Sequence, residues 1–226
     1  VDLDLDEIKS RPPDRAAAYE LFRELEFANL TREFADAKVV PVASTSELNY
    51  KVVRNRAELD ELIQGLWDAE SLGIAVADAT PAGKGDQQCS FDYEAAAGIA
   101  ISTKAGTSAY VDLEKFAEGQ QAAVDGLREV LTNGLIEKSV HDLKRAIGLL
   151  AKVNVTLEGV KDDTFLAAYL LDPNRSKYEL SDLAREAVGV DGLDGPPVGW
   201  TEPQWQTAAA ADLTARTARV LRQRIL

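Results

Sequence analysis

Gly73-Ile74-Ala75-Val76-Ala77-Asp78-Ala79-Thr80 is a run of small and branched apolar residues that ends in polar ones. It reads as a buried strand, centred on Gly73 to Val76, running into a loop rich in Gly, Asp and Gln. Upstream, Tyr50-Lys51-Val52-Val53 reads as an edge strand, and Arg56 to Glu70 carries Leu59, Leu62, Ile63, Leu66 and Trp67 at helical spacing. Downstream, Ala95 to Ser102 and Thr107 to Val111 are two strands joined by a turn at Lys104-Ala105-Gly106. Phe116 to Leu131 is expected as a helix ended by Asn133-Gly134. Lys138 to His141 is expected as a short strand, and Asp142 to Val153 as a helix capped by Asp142. Further helices are expected over Thr164 to Leu171, Leu180 to Val188 and Gln204 to Leu226, with a loop over Gly189 to Gly199. Three strands in meander followed by alternating strands and helices predict an α/β fold, a mixed sheet flanked by helices.

The 226 residues can bury a proper core. The single Cys89 excludes an internal disulfide and a multi-cysteine zinc site, and the single His141 excludes a multi-histidine one. No apolar run reaches the roughly 20 residues needed to cross a bilayer. The acidic start Val1-Asp2-Leu3-Asp4-Leu5-Asp6 is unlike a signal peptide, so a cytoplasmic location is expected. With no methionine anywhere, the chain reads as a fragment of a longer one. Its 38 acidic residues outnumber 25 basic ones, for a net charge of −13. Such a field repels a phosphate backbone, so weak or no autonomous nucleic-acid binding is expected.

Four stretches, taken in order, carry a resemblance. They are the strand ending in Ala77-Asp78-Ala79, Lys138-Ser139-Val140-His141-Asp142-Leu143-Lys144-Arg145-Ala146, Asp163-Thr164-Phe165-Leu166-Ala167-Ala168-Tyr169-Leu170-Leu171-Asp172-Pro173, and the long last helix. Together they resemble the proofreading 3′–5′ exonuclease domain of bacterial family A DNA polymerases, the DNA polymerase I family. Leu5-Asp6-Glu7-Ile8 and Ala18-Tyr19-Glu20-Leu21-Phe22-Arg23-Glu24-Leu25-Glu26-Phe27 resemble the connector that precedes that domain. The resemblance implies a ribonuclease H-like fold of the DEDD exonuclease superfamily. It further implies a helical connector and linker over residues 1–47 and an exonuclease-like domain over 48–226. A covalently linked polymerase domain would follow, with DNA contacted through the parent enzyme and no membrane involved.

In that family two-metal hydrolysis uses Asp-x-Glu on the first strand, an Asp in the helix after the fourth strand, and an Asp on the last helix with a Tyr four residues before it. Two Mg²⁺ ions roughly 3.5–4 Å apart need several carboxylates, and a spacing of two puts both strand carboxylates on one face. Carried over, these positions are Ala77, Ala79, Ala146, Ala210 and Gln206, none with a carboxylate. The resemblance therefore implies a vestigial site with no metal, no cofactor and no exonuclease activity. Asp78 is expected to point to the opposite face from its neighbours. A last-helix register shifted by two would restore one carboxylate, Asp212. The former metal site is expected to be closed, by small apolar groups or by a lysine or arginine reaching in.

Lys144 and Arg145 are the candidates for a DNA-proximal pair. His141 is expected to be a structural residue at a strand end, and Asp163 a helix N-cap rather than half of an Asp162-Asp163 metal pair. Gly83 and Gly85 lack the pattern of a phosphate loop, and Trp67, Trp200 and Trp205 lack the interleaved basic residues of a base-stacking platform. Two rivals stay open. One is a stand-alone inactive fold that grips single-stranded DNA or a protein. The other is an active nuclease using displaced carboxylates such as Asp78, Asp142, Asp163 and Asp212.

Overall fold

The computed structural model describes residues 48–79, 95–190 and 195–226, and the helical residues Ala17, Ala18, Leu21 and Phe22. The rest of the expected connector and linker, and the loop holding Gly83, Gly85 and Cys89, lie outside the described residues. Val1–Ser44 form one compact unit and Thr45–Leu226 another. The sheet and its helices all belong to the second. In chain order they are β1 (Asn49–Val53), α1 (Arg56–Trp67), β2 (Ser71–Asp78), β3 (Ala96–Ser102), β4 (Thr107–Asp112) and α2 (Gln120–Thr132). There follow β5 (Glu137–Val140), α3 (Leu143–Ala151), β6 (Val160–Asp163), α4 (Thr164–Leu171), α5 (Leu180–Val188) and α6 (Glu202–Ile225).

The sheet order is β1-β4-β3-β2-β5-β6. β2, β3 and β4 form the antiparallel meander, while β1, β5 and β6 each run parallel to the neighbour they pair with. This is the mixed α/β sheet expected from the pattern. β6 was not expected, because Val160-Lys161-Asp162-Asp163 has no apolar alternation; it pairs with β5 as an edge strand. The helix expected from Phe116 begins instead at Gln120. Gly119, at φ +91°, breaks the turn before it, and Phe116 plugs into the core from that turn.

The two sheet faces differ in the size of their residues. Leu72 and Ile74 of β2 join Ile99, Ile101 and Val111 in packing against Leu59 and Leu66 of α1, Leu127 and Leu131 of α2, and Leu149 and Leu150 of α3. Strand alternation turns Gly73, Ala75 and Ala77 to the other face. There Ala77, Ala97, Ala100 and Tyr110 pack against Ala208 and Ala211 of α6. The fit is backbone against backbone: a Cβ on Gly73 would stand 2.2 Å from the Ala211 carbonyl oxygen and 2.8 Å from Ala215 Cβ.

Local signals start the helices. Asn55 caps α1 by accepting from the Glu58 amide, and Asp163 caps α4 by accepting from Phe165 and Leu166. α6 opens with a Thr201–Gln204 capping box and a proline in its first turn.

Replacing Gly73 by Ala is expected to cost about 1–3 kcal/mol, because α6 must lift off the strand. Gly65→Ala, at an exposed position of α1 with nothing within 4 Å, is expected to gain about 0.5–1 kcal/mol. Urea denaturation midpoints at unchanged slope would check both.

Candidate functional site

The carboxyl end of β2, the turn from β5 into α3 and the first half of α6 wall an open cleft of about 1430 Å³. Each wall has a local reason to be there. β2 ends where its register with β3 shifts, between Ala77 and Asp78. α3 starts under Asp142, which adopts a left-handed conformation (φ 63°) and accepts from the Arg145 amide at 3.1 Å. On α6, Gln206, Ala210 and Thr214 recur every four residues and so share one side of the helix.

Ala77, Ala79, Ala146, Gln206 and Ala210 all line this cleft. Residues from three separate stretches of sequence are thus brought to one place. Asp212 is not among the lining residues. It is fully buried on the far side of α6, where it accepts from Arg216 Nε at 2.8 Å and Nη2 at 2.7 Å, the Tyr50 hydroxyl at 2.8 Å and the Gly106 amide at 3.0 Å. Burial first, then the Asp212 charge, pushes the Tyr50 hydroxyl well above the usual phenol range.

Asp78 departs from its expected orientation. The register shift re-aims the strand end, and Asp78 lines the same cleft as Ala77 and Ala79. Its Oδ2 lies 3.4 Å from Nη2 of Arg145, on the opposite wall. The expected closure is not seen: Arg145 lines the cleft, and the cleft stays open. Lys144, the other half of the expected basic pair, is exposed and outside the lining.

The remaining displaced carboxylates are held by other groups. Asp163 accepts from the amides of Asp142 at 3.1 Å, Leu143 at 2.8 Å and Phe165 at 2.9 Å, tying the start of α3 to the start of α4. Asp162 is paired with Arg222, whose Nε is 2.9 Å away. Asp112, a cleft residue that the sequence did not single out, is buried. It accepts from Gln204 Nε2 at 2.9 Å and the Lys115 amide at 3.0 Å, with Arg54 Nε at 3.6 Å. A lone Asp closing a strand carries no sequence signal of that role. Glu114 and Glu179, also on the lining, went unremarked for the same reason.

His141 lines the cleft with its Nδ1 2.8 Å from Thr164 Oγ1 and its ring edge-on to Phe165, centroids 6.0 Å apart. Burial lowers its pKa, against the pull of Asp163, Asp142 and Glu179. Burial thus favours the neutral ring, which packs against the first turn of α4. A second aromatic, Tyr178, meets Phe165 at 5.3 Å and extends the same wall.

The donor set does not fit a magnesium pair. Mg²⁺ needs hard oxygen ligands in near-octahedral array, and four of the five converging positions offer only methyl groups. Among the described residues no cluster of three or more His, Cys, Asp or Glu side chains is arranged to hold a metal ion.

A histidine with a depressed folded pKa stabilises the fold above the unfolded value of about 6.5 and less so as pH falls below it. Stability is expected to drop between pH 7 and pH 5, with part of the drop absent in His141→Gln. Urea midpoints across that range, together with the His141 proton resonances titrating below pH 6.5, would check this.

The family described as "DNA polymerase I, ribonuclease H-like domain" matches residues 89–191. DNA polymerase I of Pseudomonas aeruginosa is 28% identical over 206 residues, covering 84% of this chain and 22% of that protein. The chain thus spans about a fifth of the relative it matches. Among solved structures, the POL domain of DNA polymerase I from Mycobacterium smegmatis, in complex with DNA primer-template and dNTP, superposes with a TM-score of 0.61 at 23% identity, over 78% of this chain and 27% of that one. Trypanosoma brucei RNase D superposes with a TM-score of 0.56 at 17% identity, over 78% of this chain and 64% of that one, a likeness of fold alone.

Proposed function

Since this chain carries the ribonuclease H-like, 3′–5′ exonuclease-like domain of the DNA polymerase I family, we propose that it is a proofreading fold without proofreading chemistry. In this reading residues 1–47 are the connector and 48–226 the vestigial domain. The domain is joined to a polymerase domain in the parent chain and has a structural, DNA-proximal role beside it during replication and repair synthesis. A cytoplasmic location goes with that work. Among the described residues no helix is long and apolar enough to cross a membrane.

One observation carries the reading. The positions that converge on the cleft, Ala77, Ala79, Ala146, Gln206 and Ala210, supply no carboxylate. Hydrolysis of a phosphodiester needs an activated water and charge neutralisation at the leaving oxygen, and nothing at those positions provides either. The displaced carboxylates do not substitute for them. Asp212 is buried against Arg216, Asp163 and Asp142 hold helix starts, and Asp78 faces Arg145. A net charge of −13 also opposes strong binding of DNA by this piece alone.

The openness of the cleft, with Arg145, Lys115 and Lys177 on its lining, favours a second reading. There the domain grips a single strand without cutting it, and Arg145 is the DNA-proximal residue that serves it best.

A 5′-labelled single strand incubated with the chain and Mg²⁺, then Mn²⁺, is expected to stay intact while circular dichroism reports a folded protein. A ladder that EDTA abolishes would overturn the proposal. An intact strand retained by the protein at physiological salt would move the weight to the second reading.

Restoring the carboxylates supplies an independent readout. For the variant Ala77→Asp/Ala79→Glu/Ala146→Asp/Ala210→Asp, Mn²⁺ is expected to raise the melting temperature, as a ligand specific to the folded state does. The unsubstituted chain is expected to show no such rise, and an equal rise in both would count against a lost metal site.

A further inference from the structure

α4 is built inside out. Its buried residues are the small Thr164 and Ala168, while Phe165, Leu166, Tyr169, Leu170 and Leu171 are all at least 36% exposed, Leu170 to 68%. Large apolar side chains thus face water on five of its eight residues. Leu166, Tyr169 and Leu170 are spaced i, i+3, i+4 and form one continuous strip. Tyr178 widens it, its ring 5.9 Å from that of Tyr169. Among the described residues, Leu135 is an exposed leucine with no other large exposed apolar residue near it in sequence; a contiguous strip such as that of α4 marks a surface that something covers.

The position and chemistry of the strip select the occupant. Between Asp163 and Asp172 the helix has no charged residue, so the strip offers nothing to a phosphate backbone and suits a protein surface. α4 is anchored on the last part of α6, through Ala168 packed with Leu221 and Leu183. Leu221 lies five residues before Leu226, and Ile225 and Leu226 are themselves exposed. Any chain continuing past α6 therefore leaves from near α4. A domain tethered there meets the strip at high effective concentration, so a patch too small to capture a free partner is sufficient.

We propose that the outward strip of α4, centred on Leu166, Tyr169 and Leu170, is the surface against which the linked polymerase domain packs. This rests on the reading above, that such a domain is present in the parent chain.

Amide hydrogen exchange tests it, comparing residues 164–171 in the 226-residue chain and in the natural polypeptide. Protection of α4 is expected to rise at least about tenfold in the natural polypeptide. The rise is expected to vanish in its Leu166→Lys/Leu170→Lys variant. The same double substitution is expected to leave the melting temperature of the 226-residue chain unchanged, since both side chains already face water; a cooperative loss of structure would show the strip to be core and overturn the proposal. Several other outcomes would overturn it as well. Equal exchange of α4 in both contexts, with protection gained on another face, would place the dock elsewhere while sparing the functional reading. A natural polypeptide with no polymerase domain, or no added protection anywhere, would remove that reading too. Protection already present in a 226-residue chain that sediments as a dimer would assign the strip to a second copy.

Discussion

Everything in this domain depends on how closely α6 lies on β2. At Gly73 the strand backbone meets the carbonyl of Ala211 with no room for a methyl group. Ala75 and Ala77 on the strand and Ala208 and Ala211 on the helix continue the seam. Small residues give up apolar area, but they let the helix and sheet backbones approach and keep dispersion contacts dense. Polar anchors then fix the helix along its length. Asp212, buried, gathers Arg216, the Tyr50 hydroxyl and the Gly106 amide, and so ties α6 to the β1 and β4 side of the sheet. Arg222 reaches Asp162 and Glu137 on the β6 and β5 side. A buried carboxylate is tolerable only when its acceptor capacity is filled in this way.

This seam also decides what the cleft contains. With Asp212 committed to the far side of α6, the helix turns Pro203, Gln204, Gln206, Thr207, Ala210 and Thr214 to the cleft, none with a carboxylate. Ala77 belongs to both structures at once, packed against the α6 alanines and lining the cleft. An alanine there packs the seam well, so residue type alone does not separate a packing residue from a lost ligand. The charge that remains is modest. Arg145 and Asp78 face each other at 3.4 Å with their side chains 48% and 25% exposed, an arrangement that adds little stability in water. That pair adds one positive and one negative charge to the wall of a cleft whose lining also carries Asp112, Glu114, Asp142 and Glu179 with Lys115 and Lys177.

Much of the fold was legible because its signals are local. Apolar runs bounded by turn and loop residues marked β2, β3 and β4, and α5 was read with its observed bounds. Asp142 and Asp163 announced the helices they cap. β6 escaped because an edge strand of Val-Lys-Asp-Asp has one wet side and no alternation, and its identity comes from pairing with β5. The start of α2 was misread because the pattern from Phe116 is apolar in the right places, while a positive φ at Gly119 cannot be told from a tolerated helical glycine. At the site, the register of the last helix was open in the sequence, since Ala210 and Asp212 fit the same motif two residues apart.

By itself the sequence determined the fold class and that Ala77, Ala79, Ala146, Gln206 and Ala210 carry no carboxylate, since periodicity, caps and residue identity need no partner to be read. Only the tertiary structure decided that Asp78 joins the cleft while Asp212 leaves it, and that α4 keeps its bulky side chains outward. The direction of a side chain at a bulge, or on a helix apolar all round, is set by what the rest of the chain packs against it. For β2 and α6 that choice was made at Gly73, where only one approach of helix to strand is close enough to fill space.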